Sequence, residues 1–307
     1  MSTIPVLVHG LGNIGAQVIQ CLETAPDFEC VGVVRSLSSV GSKKPLLRGV
    51  PDFPGLDELV KARGKPEVAI VCGPSRLAPE DAARYLEAGL HTVDSFDIHD
   101  RIPELVENLG RHAVAAKRVA VTAAGWDPGT DSVLRALFEA MVPTGTTFTN
   151  FGRGRSMGHS VAARAIDGVA DAVSITIPDG GGRHSRLVYL LPEKGHDNKD
   201  IAKRLAADAY FSHDQLDVRF VATPAELASV MDNSHGVLLE RTGASGMTSN
   251  QQLSFDMRID NPALTGQVLV SAARAATRMA PGCYTLIDIP PVAMLPGDRM
   301  GHIARLV

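Results

Sequence analysis

The chain lacks a disulfide framework, a membrane span, an excess of positive charge and a metal-binding signature. Its four cysteines, Cys21, Cys30, Cys72 and Cys283, form no C-x-x-C pair. A chain of 307 residues buries enough core to need no disulfide staples, so these are read as reduced thiols. No run reaches the roughly 18 apolar residues of a spanning helix, and no membrane partner is expected. The N-terminus, Met1-Ser-Thr-Ile-Pro-Val-Leu-Val, has no basic start before His9 and Gly10, so no signal peptide is expected and a cytoplasmic location follows. Lys and Arg number 30 against 34 Asp and Glu, a net charge of −4, which offers no field to hold a nucleic-acid backbone. The ten histidines show no ligand spacing, and neither H-E-x-x-H nor a G-x-S-x-G elbow occurs. Metal and acyl-transfer chemistry are therefore not expected.

What is present is an ordinary globular composition, 45% apolar and 21% charged, with 29 glycines. At roughly 150 residues per domain the length predicts about two domains. From Pro5 to Val121 short apolar strands alternate with helical patterns: Val6–Val8, Ile14–Glu23, Val31–Val34, Val68–Cys72, Asp81–Ala88, His91–Asp94, Pro103–Lys117 and Val119–Val121. This rhythm predicts a doubly wound parallel sheet of the α/β class. Ser36 to Gly55 shows no periodicity and is read as a long loop. After Met141 come strand-like pieces joined by glycines, with a hairpin at Asp179–Gly182, which predicts a second α+β domain on a mostly antiparallel sheet. Residues 262–307 open with another helix that returns to the first domain. The expected division is 1–125, 126–261 and 262–307.

Gly10-Leu11-Gly12-Asn13-Ile14-Gly15 follows the first strand and opens the first helix. In that context Gly10 permits a tight turn, Gly12 lets the backbone approach a pyrophosphate and Gly15 lets helix and strand pack closely, so a Rossmann-like dinucleotide site is expected. The second strand ends at Val34, where an NAD enzyme places an acid on the ribose; here Arg35 and Ser36 follow. A guanidinium and a hydroxyl suit a 2′-phosphate, so NADP is favoured over NAD, against the alternative of an exposed surface arginine. Cys72-Gly73-Pro74-Ser75 and Asp94-Ser95-Phe96-Asp97 end two further strands at the carboxyl edge, where such sheets bind ligands. Asp94 or Asp97 could also cap a helix starting near Ile98. Gly125-Trp126-Asp127-Pro128-Gly129 holds the only Trp. Asp127 before Pro128 suits a helix cap, and a flat ring beside a carboxylate equally suits a substrate amine. Gly152–His159 reads as a phosphate loop, a hairpin or a ligand-covering loop.

Taken together, Gly10–Gly15, Val93-Asp-Ser-Phe-Asp-Ile-His99, Gly125-Trp-Asp-Pro-Gly129, Ser156-Met-Gly-His-Ser160, His235-Gly236 and Asp260-Asn-Pro262 resemble the meso-diaminopimelate dehydrogenase family over nearly the whole chain. The resemblance implies NADP-dependent, reversible oxidative deamination of the D-centre of meso-2,6-diaminopimelate in lysine biosynthesis. It implies that Asp97, Trp126, Asp127, Phe151, Met157 and Gly158 hold the D-centre, with Asp97 and Asp127 catalytic. It assigns the distal L-centre to Thr176, Arg186, His235 and Asn261. Cofactor contacts carry over to Gly10 through Gly15, Arg35, Ser36, Cys72 through Ser75, Ser95, Phe96, Gly125, Trp126 and Pro128. The second domain would bind substrate and form a homodimer. Longer members have Trp where this chain has Phe151, and often two adjacent arginines at Arg35-Ser36; length, Phe151 and Met157 resemble a shorter subgroup, some of which accept simpler 2-oxo acids and aminate them to D-amino acids.

The residues themselves agree with amine chemistry, since neighbouring carboxylates orient an ammonium and relay its proton before hydride leaves. One alternative is another two-domain NADP oxidoreductase, such as a dihydrodipicolinate reductase or a sugar dehydrogenase, although the Glu-Lys-Pro motif of the latter is missing. The other is a non-catalytic NADPH-sensing regulator, which leaves Trp126 unexplained.

Overall fold

The computed structural model describes residues 3–180, 183–230 and 234–307. The chain divides into two compact units, Met1–Leu134 with Pro262–Val307, and Arg135–Asn261.

In the first unit strands and helices alternate as β1 (Ile4–His9), α1 (Asn13–Glu23), β2 (Phe28–Val34), α2 (Lys44–Leu47), β3 (Asp52–Phe53), α3 (Leu56–Arg63), β4 (Val68–Val71), α4 (Ala78–Glu87), β5 (His91–Asp94), α5 (Ile102–Ala116) and β6 (Val119–Val121). Helix α6 (Thr130–Met141) runs through the division. Val6, Leu7, Val8 and Val68–Ile70 are fully buried because helices cover both faces of the sheet, which explains why these strands read as continuous apolar runs. Helix α1 offers Ala16, Val18, Ile19 and Leu22 to the core, one stripe at helical spacing. The segment 36–55 is not structureless: it contains α2 and β3, and β3 pairs in parallel with the end of β2, Val33 opposite Asp52.

The second unit contains β7 (Thr144–Phe151), β8 (Gly154–Ser156), α7 (Met157–Arg164), β9 (Val169–Gly180), β10 (Arg183–Pro192), α8 (Asn198–Ala207), β11 (Gln215–Phe220), α9 (Pro224–Ser229), β12 (Ser234–Ser245) and β13 (Thr248–Asp260). It has two sheets rather than one, ordered β11-β10-β9-β8 and β13-β12-β7. Most neighbours are antiparallel; β10 and β11 are parallel because α8 provides the crossover between them. Gly181 and Gly182, in the expected β9–β10 turn, lie outside the described residues. The Gly152–His159 stretch is β8 followed directly by α7.

The chain then returns to the first unit through α10 (Asn261–Ala276), β14 (Gly282–Tyr284) and α11 (Arg299–Leu306). Small residues Ala272, Ala273, Ala275 and Ala276 let α10 sit close in the core cluster that includes β1 and α1. Arg274 fastens this segment: its guanidinium donates to Asp27 at 2.8 Å and to the Met294 carbonyl at 2.8 Å, and lies 5.0 Å over the Phe28 ring. With β14 added, the sheet order is β14-β6-β5-β4-β1-β2-β3, all parallel, and the direction of winding reverses between β1 and β4. Ligands of doubly wound sheets bind outside the carboxyl ends of the strands at that reversal. No helix among the described residues is long and apolar enough to cross a membrane.

Candidate functional site

At the reversal, Gly10 and Gly15 are demanded by packing and Gly12 is not. Gly10 has φ +92°, and a Cβ there would stand 3.0 Å from the Cys72 carbonyl oxygen. A Cβ on Gly15 would stand 2.2 Å from the Gly10 carbonyl oxygen. A Cβ on Gly12 would meet nothing within 4 Å, yet Gly12 is the N-cap of α1, whose start has no side-chain cap and no acidic residue in its first turn. Open space before an uncapped helix N-terminus is a cradle for an anion, so the residues Gly10, Leu11, Gly12, Asn13, Ile14 and Gly15 fit a dinucleotide pyrophosphate.

Arg35 departs from the expectation of a cation held out to a 2′-phosphate. Its side chain is only 4% exposed and its guanidinium donates to Asp52 at 3.0 Å, to the Ser42 carbonyl at 2.8 Å, to Ser42 Oγ at 2.6 Å and to the Ser39 carbonyl. The cause is β3, which brings Asp52 beside the end of β2; Asp52 also accepts from the Gly41 amide. Arg35 thus shapes the 39–42 turn. Ser36 stays exposed and hydrogen-bonds Ser39 Oγ at 2.8 Å, leaving a hydroxyl cluster at the position expected for the ribose phosphate.

Beside the glycine loop, Cys72-Gly73-Pro74-Ser75 ends β4. Burial, with the charge of Asp94, pushes the Cys72 thiol well above its ordinary range, so it is a packing group and not a nucleophile. His9, at the end of β1, is braced by Tyr85 at 2.7 Å and Asp81 at 3.3 Å.

The next two strands carry the candidate catalytic carboxylates. Asp94 is buried, and its Oδ1 accepts from Thr122 Oγ1 at 2.8 Å, the Phe96 amide at 3.0 Å and the Ala123 amide at 3.4 Å. It therefore caps no helix; it ties Ser95-Phe96-Asp97 after β5 to the 122–129 segment after β6. Burial pushes its carboxyl up to about 6 against those stabilising hydrogen bonds. Ala123 has φ 54°, the left-handed region that costs a non-glycine residue about 1 kcal/mol or more, so the segment leading to Gly125, Trp126 and Asp127 is held in a strained path. Asp127 is not a helix cap either, because α6 begins at Thr130, past a cis Asp127–Pro128 peptide. Trp126 is 5% exposed, and its carbonyl accepts from the Asp131 amide at 3.0 Å. Asp97 lies in the loop after β5, before a short turn at His99–Arg101 that precedes α5.

The second unit gathers Thr176, Arg186, His235 and Phe151. Thr176 and Arg186 are cross-strand partners on β9 and β10, so both project from one face. Arg186, 8% exposed, donates from NH1 to Thr176 Oγ1 at 2.5 Å, and Thr176 lies 3.5 Å from His235 Nε2. The Phe151 ring meets His184 edge-on at 5.4 Å and His235 at 6.2 Å. Met157 and Gly158 open α7, and Asn261 donates to the carbonyl of Arg155, in β8, at 3.4 Å. Three residues outside the expected set complete this cluster. Asp214 accepts from Arg186 Nε at 2.7 Å and faces His159 Nε2 at 3.5 Å and His184 Nε2 at 3.6 Å. Burial alone would raise its carboxyl, but the hydrogen bonds from His159 and Arg186 and their charges hold it down to about 2. His184 is lowered as well, by burial and by the charge of Arg186, which disfavours its protonated form. Asp97, Trp126 and Asp127 belong to the first unit and the remaining substrate positions to the second. No cluster of three or more potential metal ligands occurs among the described residues.

Residues 125–261 match the family model described as the diaminopimelic acid dehydrogenase C-terminal domain, and residues 4–93 that of the oxidoreductase family with an NAD-binding Rossmann fold. The chain is 44% identical to a meso-diaminopimelate D-dehydrogenase of Bacteroides fragilis, with all of each chain covered. Among solved structures, the C. glutamicum diaminopimelate dehydrogenase in complex with diaminopimelate superposes with a TM-score of 0.88 at 28% identity, covering 100% of both chains. An engineered D-amino acid dehydrogenase bound to NADP+ gives 0.89 at 27% identity, again covering 100% of both.

Proposed function

The chain belongs to the meso-diaminopimelate D-dehydrogenase family, and on that premise we propose that it converts meso-2,6-diaminopimelate, NADP+ and water into L-2-amino-6-oxoheptanedioate, ammonia, NADPH and a proton, reversibly, in lysine biosynthesis. The observation that carries this reading is the Asp94 tether, which anchors the Asp97 loop and the Trp126-Asp127 loop at the carboxyl ends of adjacent strands in the same sheet as the open Gly12 cradle.

The bound NADP supplies a hydride acceptor at its nicotinamide ring. Gly10–Gly15, Ser36, Cys72–Ser75, Ser95, Phe96, Gly125, Trp126 and Pro128 are the residues proposed to hold it, with Arg35 acting through the turn it shapes. Hydride leaves Cα only from a free amine, so the ammonium must first give up a proton. Asp97 and Asp127 orient the ammonium and take that proton, directly or through water, and the resulting iminium is hydrolysed when one of them draws a proton from the attacking water. The indole of Trp126 excludes solvent beside them. Phe151, Met157 and Gly158 complete the D-centre pocket, and Thr176, Arg186, His235 and Asn261 hold the L-centre. A guanidinium, a hydroxyl and an imidazole around one point suit a carboxylate.

We assign dimer formation to the second unit, whose exposed Leu137, Met141, Phe148 and Met247 are apolar side chains a second copy would cover, and we infer a cytoplasmic location from the proposed biosynthetic reaction. Incubation with meso-diaminopimelate and NADP+ tests the reaction: NADPH and ammonia should appear one for one. NADPH without an equal amount of ammonia would show that the amine-bearing carbon is not oxidatively deaminated and would end the proposal.

A further inference from the structure

Asp214 stands immediately before β11, and nothing in its sequence neighbourhood singles it out, yet three basic side chains from two other elements converge on it. His159 comes from the first turn of α7, and its Nδ1 is held by Ser156 Oγ at 2.9 Å. His184 and Arg186 come from one face of β10, which pairs in parallel with β11 so that Ser185 lies opposite Gln215. Among the described residues Asp214 is the only carboxylate paired with Arg186.

The way Arg186 is bound matters more than the pairing. A guanidinium has five N–H donors. Asp214 takes the single Nε–H at 2.7 Å, Thr176 takes one from NH1 at 2.5 Å, and His184 Nε2 lies 3.1 Å from NH2. These contacts leave one N–H on each terminal nitrogen, and a carboxylate binds a guanidinium in two-pronged fashion along its NH1–NH2 edge. A carboxylate at Nε stays off that terminal edge and fixes the plane of the group, with NH1 turned toward Thr176 and, through it, His235. Without Asp214, Arg186 has no charged anchor and four rotatable bonds.

We propose that Asp214 is the positioning residue of the carboxylate-binding side of this site: by holding Arg186 at Nε, it presents the terminal NH1–NH2 edge to the remote carboxylate of the substrate. This rests on the reading that Arg186 receives that carboxylate, and the role of Asp214 is additional to it. Asp214 does not touch substrate; it sets the orientation of the residue that does. Its effect is then confined to substrates that carry a second carboxylate.

The test compares wild type, Asp214→Ala, Asp214→Asn and Arg186→Ala, each with meso-diaminopimelate and with a monocarboxylic D-amino acid at saturating NADP+. For Asp214→Ala, KM for meso-diaminopimelate should rise about 10- to 100-fold with kcat within about twofold, while kcat/KM for the monocarboxylic substrate changes less than about twofold. Asp214→Asn keeps an oxygen acceptor for Nε–H and should recover most of the loss, which a role in folding alone does not predict. Equal losses on both substrates, or a lower KM for meso-diaminopimelate, would overturn the proposal, the latter by showing that Asp214 competes with substrate for Arg186. If Arg186→Ala also fails to distinguish the two substrates, the assignment of Arg186 is the part at fault, and the role of Asp214 falls with it. If Arg186→Ala discriminates and Asp214→Ala does not, only the present inference is lost.

Discussion

Asp94 in the first unit and Asp214 in the second both tie segments together, but by opposite electrostatics. Asp94 is surrounded by neutral donors, a hydroxyl and two backbone amides, in a fully buried place, and its carboxyl is pushed up to about 6. Asp214 is half-buried among a guanidinium and two imidazoles and is held down to about 2. The first arrangement positions loops through hydrogen bonds to neutral donors; the second keeps a charged pair in place where a charged substrate group is to be received. The first unit positions its cradle and its catalytic carboxylates through backbone geometry, with glycines and turns at strand ends, and the second positions its carboxylate-binding guanidinium through side-chain charge.

The sharpest way to break that contrast is to remove charge where the account requires it for chemistry. Asp97→Asn and Asp127→Asn should each lower turnover by about 10²- to 10⁴-fold, while thermal unfolding stays near wild type because neither residue caps a helix. Circular dichroism melts beside steady-state rates separate the two effects, and full activity in both variants would remove the pair from the mechanism.

In the first unit the glycines offer a comparison within one loop. Gly15→Ala forces a methyl against the Gly10 carbonyl and should cost about 1–3 kcal/mol of stability. Gly12→Ala meets open space and should leave stability unchanged, yet it places a methyl in the proposed pyrophosphate cradle and should weaken NADP binding. Denaturant unfolding and fluorescence titration with NADPH measure both. Equal effects on binding and stability at the two positions would show that the loop is only a turn.

A smaller effect lies in the pH dependence of stability, where the two carboxylates should pull in opposite directions. Asp94 binds its proton more tightly when folded, so its contribution falls as pH rises from about 4 to about 6. Asp214 binds its proton less tightly when folded, so its contribution is present above about pH 4 and is lost as pH falls toward about 2. Asp94→Asn should remove the decline between pH 4 and 6, and Asp214→Asn should reduce the loss below pH 4. Unfolding free energies measured from pH 2 to 7 check the signs, and parallel curves for wild type and both variants would refute the contrast.

How far each region was readable follows from the range of its determinants. The glycine loop is local: turn, helix start and packing partner fall within six residues, and Gly10, Gly12 and Gly15 stand where the spacing places them. The inward turn of Arg35 was hidden because it depends on β3, a two-residue strand too short to show a pattern, which brings in Asp52 from 17 positions away. Asp127 looked like a cap because Asp-Pro is a common helix opening, but α6 starts later. Asp214 gave no signal, since its partner Arg186 is 28 positions distant and reaches it only through the register of β10 on β11. His159 sat within a motif already noted, Ser156–Ser160, without a role until its Asp214 contact was seen.

The most direct measurement is NADP+ reduction with meso-, LL- and DD-diaminopimelate side by side, followed by determination of the configuration of the amino group that remains. The account predicts turnover of the meso compound with the L-amino centre retained, and no turnover of the LL compound, which has no D-centre to oxidise. Oxidation of LL-diaminopimelate at a comparable rate, or a product that retains the D-centre, would contradict it.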